Sequence, residues 1–507
     1  MSERRLTYSF GPLERRGLLG PVRAGQAAVI STGVVAGIAM LDIAPSALGV
    51  LLAGGLLALA LATTWVPVGG RTVEEWLPVT LAFGRRRFGR RRFGRGRFGR
   101  SGFTSGAPTV GTRALGSGRR GLLGRAPRPV APPQLRDVRL ASADLRGRPL
   151  GIVSERSGRR LSAVLACRVV AFSLLDQDAQ ERRLARWGLV LSGASGSAIR
   201  RVQWIERTAP AQGDELVRWV HAERDPAVPL RGTPMIDSYL ELISSTARVA
   251  QEHEILLAVQ VDAQRVRDRG ATSATRALVE QTERIAQGLE AAEVTVLGAL
   301  SPGQLARTLR TAFDPYARSE LTALDACDPD RDGLDDVNAW PLGDRETWEH
   351  YQADGALHAT YWIGGWPRVE VSPMFMDSLL GHSGVVRTVS VTFEPLASDR
   401  STREVEAAIT RDRADRELRA RFGQSETARQ RQAADATRRR EAELAAGHSE
   451  VRLSGFVTVT GRDPDDLRRA CAEVLEQAAR ARLELHRLYG QQADAFTFTL
   501  PLCRGLR

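Results

Sequence analysis

Two long runs without a charged residue lie side by side near the start of the chain, and no other feature restricts its fold as much. Residues 25–41 are mostly Ala, Val, Ile and Gly, and after Asp42 a second uncharged run covers residues 43–67. As helices they would span about 25 Å and about 36 Å, against roughly 30 Å for the hydrocarbon core of a bilayer. The link between them is short and holds Asp42, Pro45 and Ser46. Arg15, Arg16 and Arg23 flank one side and Arg71 the other, so the positive-inside rule puts both flanks in the cytoplasm. Trp65 and Trp76 suit the interfacial belt. A signal peptide, with one apolar region and a cleavage site, and a buried soluble hairpin are the alternatives. The reading is a cytoplasmic segment over residues 1–24 and a two-helix transmembrane hairpin over residues 25–67. It implies a multi-pass plasma-membrane protein with both termini cytoplasmic.

The positive charge is equally local. The chain has 507 residues and a formal net charge of +12. All 71 of its basic side chains are Arg, and 14 of them fall between Leu77 and Arg128 with no acid among them. The remaining 57 face 59 acids, so the rest of the chain is near neutral. The tract reads FGRRRFGRRRFGRGRFGRSGF, with Phe83, Phe88, Phe93, Phe98 and Phe103 five apart. Gly at every fifth position works against helix, and the composition reads as a disordered Arg/Gly/Phe-rich linker over residues 68–134. Arg85, Arg86, Arg87, Arg90, Arg91, Arg92, Arg95, Arg97 and Arg100 are its candidate ligand-binding residues. Three readings stand open for them: anionic lipid at the adjacent membrane, nucleic acid held by Arg on phosphate and Phe on bases, or a solvated linker.

Absent lysine excludes chemistry. A Walker A loop needs Lys on the β- and γ-phosphates, and protein-kinase ATP sites and Schiff-base enzymes need Lys as well. Cys167, Cys327, Cys471 and Cys503 are scattered with no C-x-x-C, which fits a reducing compartment.

From residue 135 onward the pattern is α+β. Strands are expected at residues 161–175, 199–207, 254–262, 292–300, 356–363, 385–394, 451–461 and 495–500. Helices are expected at 176–191, 234–253, 271–291, 302–312, 373–380 and 463–489. Ser301 and Pro302 mark a helix start. A polar helical region runs from 398 to about 446, broken near Gly423. Strand–helix–strand order recurs, which suggests two related α+β lobes, residues 135–315 and 316–507.

Candidate chemistry is sparse. Asp328, Asp330, Asp332, Gly333 and Asp336 match the front of a calcium loop, but Ala339 stands where the bidentate Glu belongs. His350 and His358 lie near Trp348, Tyr351 and Trp362 and could meet. Gly193-Ala194-Ser195-Gly196 is followed by Ser197, so it is not a nucleophile elbow. Gly364-Gly365-Trp366-Pro367 reads as a tight turn with an aromatic anchor. No catalytic constellation, cofactor site or metal site emerges, and the chain reads as a non-enzyme.

Several short motifs carry a family resemblance. Tyr8 and Phe10 precede a basic stretch and the hairpin. This start resembles the small PrgI-type membrane subunits of conjugative type IV secretion systems. The body is similar to the N-terminal, non-ATPase part of the large ATPase of those systems. The matching stretches are Ser244-Ser245-Thr246-Ala247-Arg248 with the strand at 254–262, Tyr361-Trp362 with Trp366-Pro367, and Glu394-Pro395-Leu396. The most distinctive is the tail, Leu488-Tyr489-Gly490-Gln491-Gln492, Ala495-Phe496, Leu500-Pro501-Leu502 and Arg504-Gly505-Leu506. Cys503 stands where the resemblance implies Gly. The combination resembles an actinobacterial membrane-protein family of conjugation-like or secretion-like gene clusters. That resemblance implies a non-catalytic membrane scaffold that docks a separate secretion-type ATPase and assembles as an oligomer. The alternative is a membrane-tethered nucleic-acid-binding protein acting through the Arg-rich tract.

Overall fold

A computed structural model describes residues 24–43, 45–65, 72–93, 130–168, 172–210, 251–266, 270–318, 339–367, 369–381, 384–421, 428–445 and 449–506, with isolated positions between 234 and 241. The chain divides into a helical unit, residues 23–128, and a larger unit whose described part begins at Val130.

The helical unit begins with α1 (Ala24–Ile43) and α2 (Ala47–Trp65). They form an antiparallel pair: Gln26 near the start of α1 donates to the Thr64 carbonyl at the end of α2, 3.0 Å away. Small residues permit the approach. A Cβ on Gly33 would lie 2.6 Å from Ala60 Cβ, and Gly37 faces Ala53. The large side chains point outward instead, with Val35 66% and Leu51 74% exposed. By length and composition one helix can cross a membrane, over Ala47–Thr64, and α1 contributes a shorter apolar stretch, Ala28–Ile43. The helical pair is present, and one of its two helices is long and apolar enough to cross a membrane.

The next element corrects an expectation. α3 (Val73–Phe93) runs well into the stretch expected as disordered linker. Thr72 starts it by accepting from Glu75 and Trp76 through its carbonyl. Eleven Gly-free residues, 73–83, then propagate the helix before Gly84. Each later Gly costs only about 1 kcal/mol, and Arg is a good helix former. Residues 94–129 lie outside the described part. Residues 133–135 form a 3-10 turn with Leu135 buried, so the linker ends before residue 134.

The larger unit is built on one antiparallel sheet. Its elements in chain order are β1 (Arg139–Leu145), β2 (Arg148–Glu155), β3 (Arg160–Arg168), α4 (Gln177–Ala194), β4 (Ile199–Pro210), β5 (Gln251–Asp262), α5 (Ala271–Ala291), β6 (Thr295–Ala299) and α6 (Pro302–Phe313). There follow β7 (Asp344–Glu346), β8 (Tyr351–Ala353), β9 (Ala356–Gly365), α7 (Asp377–Leu380), β10 (Arg387–Pro395), α8 (Ser398–Arg421), α9 (Ala428–Ala445), β11 (Val451–Gly461), α10 (Pro464–Arg480), β12 (Glu484–Arg487) and α11 (Gln492–Phe496). The order across the sheet is β1-β2-β3-β5-β4-β10-β11-β9-β8-β7, with β6 also on β3 and β12 also on β9.

That order holds a repeat. β3-α4-β4-β5-α5-β6 pairs as β6-β3-β5-β4, and β9-α7-β10-β11-α10-β12 pairs as β12-β9-β11-β10. Each is a ferredoxin-like βαββαβ unit, and each is preceded by a hairpin whose second strand joins the first strand of the unit. The repeats meet edge to edge through β4 and β10, from Val202 opposite Phe393 to Thr208 opposite Arg387. The sheet therefore passes without a break through the two segments expected as lobes.

Strand alternation gives the sheet two different faces. Leu257 and Val259 of β5 pack under α4 and α5 with Ile285 and Leu289. Val457 and Val459 of β11 pack under α10 with Leu467 and Val474. The opposite face carries Leu256 and Ala258, covered by Leu305, Leu309 and Phe313 of α6 and by Phe496, Leu500 and Leu502 of the tail. α6 starts with a reciprocal capping box between Ser301 and Gln304, with Pro302 in its first turn.

Several boundaries differ from expectation. The helix expected at 234–253 falls mostly outside the described residues, and its last three residues belong to β5, where Gln251 pairs with Pro210. The helix expected at 463–489 stops at Arg480, because Arg482 turns the chain at φ +57 and Glu484–Arg487 return to pair with β9. The strand expected at 495–500 is α11 followed by a 3-10 turn, Thr497–Thr499. Gly364 and Gly365 end β9 and form no tight turn: a Cβ on Gly364 would sit 2.0 Å from His486 of β12.

His358 is fully buried, and both ring nitrogens are used: Nδ1 lies 2.9 Å from Thr460 Oγ1 and Nε2 lies 2.8 Å from the Phe313 carbonyl. Burial lowers its pKa to about 4. The unfolded chain takes up this proton near pH 6.5 and the folded chain only near pH 4, so stability falls as pH drops through that window. The expected loss is about 3 kcal/mol at full protonation. Chemical denaturation from pH 7 to pH 4 measures it, and His358→Gln should flatten the dependence.

Candidate functional site

The tail that carries the most distinctive motif lies across the second face of the sheet and closes it. That face is crossed by buried polar side chains from six neighbouring strands: Ser162, Gln260, Gln203, Ser390, Thr458 and Thr360, none more than 2% exposed. Buried polar atoms need partners; Ser162, Ser390 and Thr360 find them within the sheet, while Gln203, Gln260 and Thr458 also reach the tail. It crosses the strands without joining the ladder, so its own backbone groups need partners too.

Gln203 is the central contact. Its amide donates to Ser390 Oγ at 2.8 Å and to the Phe498 carbonyl at 2.9 Å. Its carbonyl accepts from the Cys503 backbone at 2.6 Å. Gln260 donates to the Leu502 carbonyl and Thr392 to the Arg504 carbonyl, both at 3.2 Å. Arg201, paired with Glu394 at 3.0 Å, reaches the carbonyls of Cys503 and Leu506, each at 3.1 Å. At the start of the crossing, the Gln492 side chain stands in for a strand beside β9, accepting from Thr360 N at 2.8 Å and donating to Thr360 O at 3.3 Å. Near the end, Arg504 binds the buried Glu155 carboxylate and the Gln134 carbonyl.

Backbone geometry explains two tail positions. Gly505 has φ +99, and a Cβ there would come 2.4 Å from Phe456 Cε2. Cys503, where the resemblance implies Gly, has φ +52 and is fully buried, with its thiol 3.5 Å from the Ala258 carbonyl. Burial pushes that thiol far above the ordinary range, so it stays protonated. Gly505→Ala should cost about 2–3 kcal/mol through strain and overlap, read as a lowered denaturation midpoint. Cys503→Gly exchanges relieved strain for lost packing and should stay within about 1 kcal/mol.

The residues expected to bind a ligand are placed in part. Arg85, Arg86, Arg87, Arg90, Arg91 and Arg92 all lie on α3. Arg95, Arg97 and Arg100 fall outside the described residues, as do Asp328, Asp330, Asp332, Gly333 and Asp336. Among the described residues no group of three or more His, Cys, Asp or Glu could hold a metal ion. His350 and His358 form no pair, since both His358 nitrogens are engaged by Thr460 and Phe313. Ser195 caps α4 and donates to the Leu396 carbonyl at 2.6 Å, a structural role. The polar row escaped sequence reading because each strand contributes one residue. The repeated Gln at 491–492 and the Leu-Pro-Leu at 500–502 were its only local trace.

Comparison with known families bears on this geometry. Residues 227–363 match a family model described as "Putative type VII ESX secretion system translocon, EccE". The matched stretch takes in β5, α5, β6 and α6 and continues through β7 and β8 into β9, across the junction of the two repeats. No curated protein matches the chain. The match is to a secretion-system family, as the resemblance implied, but of type VII. It gives no support to kinship with type IV ATPases or PrgI-type subunits, and that expectation is corrected.

Proposed function

We propose that the chain is a non-catalytic, membrane-anchored structural component of a type VII-like secretion translocon. The observation that carries this reading is the match of residues 227–363 to the EccE translocon family. Two features of the chain support it. The antiparallel α1–α2 pair, with small residues inside and large apolar side chains outside, suits an anchor of two spans with both flanks cytoplasmic. The strapped double repeat suits a rigid scaffold, because its buried polar groups are spent on holding the tail. In this reading the scaffold packs with other subunits and with a separate motor ATPase, the partner that a lysine-free chain requires if transport consumes ATP.

Comparing the proteins released by a strain lacking this chain with those of the parent strain tests the role. Loss of a defined set of exported proteins, restored by the full chain, is the expected result. Unchanged export would contradict it. The nucleic-acid reading has no observation in its favour beyond the Arg–Phe composition and is left to the test that follows.

A further inference from the structure

α3 changes character along its length. Its first half holds Trp76, Leu77, Val79 and Leu81. It packs against both α1 and α2, with Val79 buried and Leu77 and Leu81 each 60% exposed. Its second half holds six Arg positions, and from Leu77 to Phe93 there is no acid. At 3.6 residues per turn those positions, 85, 86, 87, 90, 91 and 92, are distributed around the whole circumference of the helix. A duplex laid against a helix touches one side of it. A layer of phosphate headgroups surrounds a helix that passes through it and meets every side.

After Glu74 and Glu75 the apolar stretch 76–83 belongs to a helix that packs on the apolar hairpin, and arginines follow where that stretch ends. Arginine stems can lie along acyl chains while the guanidinium reaches headgroup phosphate. We propose that α3 stands through the headgroup layer of an anionic bilayer, with Arg85, Arg86, Arg87, Arg90, Arg91 and Arg92 bound to acidic phospholipid headgroups. The proposal rests on the reading of α1 and α2 as membrane-inserted. Its chemistry is charge complementarity at the end of an apolar helix, and it commits to a lipid surface as the occupant.

The test is hydrogen–deuterium exchange on the full chain in nanodiscs of phosphatidylcholine alone and of phosphatidylcholine mixed with phosphatidylglycerol. Exchange across residues 84–93 should slow by about tenfold or more in the mixed bilayer, and the difference should shrink as salt is raised. Replacing all six Arg by Gln should abolish the difference, and replacing them by Lys should keep most of it, because headgroup attraction depends mainly on charge. Equal exchange in both bilayers overturns the proposal. Slowing by an added DNA oligonucleotide, with none by phosphatidylglycerol, overturns it in favour of nucleic acid. Carbonate extraction of native membranes that carry the chain separates the two readings. A retained chain whose α3 ignores phosphatidylglycerol contradicts only the lipid contact. An extracted chain contradicts the inserted hairpin, and the same exchange comparison on preformed vesicles then decides the lipid contact by itself.

Discussion

Removing residues 492–507 unfolds the larger unit. Phe496, Leu500 and Leu502 are each at most 2% exposed and belong to the core that also holds Leu305, Leu309 and Phe313 of α6. Each such side chain is worth about 2–5 kcal/mol when deleted. Their sum, about 6–15 kcal/mol, is comparable with the roughly 5–15 kcal/mol that keeps an ordinary domain folded. The truncation also strips partners from Gln203, Gln260 and Arg201. Loss of the cooperative unfolding transition in the detergent-solubilised chain is the expected signal. Gln203→Ala separates the polar share from the apolar one. It keeps every tail side chain but removes three hydrogen bonds, so a loss of about 2–4 kcal/mol with a retained transition is expected. A truncated chain that still melts cooperatively near the parent midpoint would mean the tail merely rests on the sheet.

The second large effect concerns the anchor. The chain without residues 24–65 moves to the soluble fraction, while the parent chain stays in the pellet after carbonate extraction. A single charge grades the effect. Leu56 lies near the middle of α2, where an Arg costs about 2.5–3.5 kcal/mol of insertion, so Leu56→Arg should leave a visible soluble share. The same substitution at Leu77, near the start of α3, should cost far less, because Arg is tolerated near an interface.

Reading the sequence forward worked where one residue type repeats along one element. α5 falls on the expected residues 271–291 and β11 on 451–461, because each has an unbroken period of its own. It failed where the deciding partner is distant in sequence. β1 and β2 carry Arg139 and Arg148 at their starts and look like surface loop, but they pair along seven positions and complete the edge of the sheet. Residues 484–487 look like the end of a long helix until β9 is placed beside them. α3 reads as disordered because composition outweighs the eleven-residue Gly-free start that nucleates it. The tail shows the same limit at the site. Its motif was visible, yet its crossing of the sheet depends on Gln203 and Gln260, some 240–300 residues earlier. The left-handed backbone at Cys503 and Gly505 is the physical content behind the small residues expected there.

Affinity purification of the chain from gently solubilised native membranes, followed by mass spectrometry of what comes with it, tests the central claim most directly. The account predicts a large membrane assembly containing a P-loop ATPase and other secretion-translocon subunits, which should fall apart when residues 492–507 or residues 24–65 are removed. Recovery of the chain as a lone, well-folded membrane protein, with no ATPase and no translocon subunit, would contradict it.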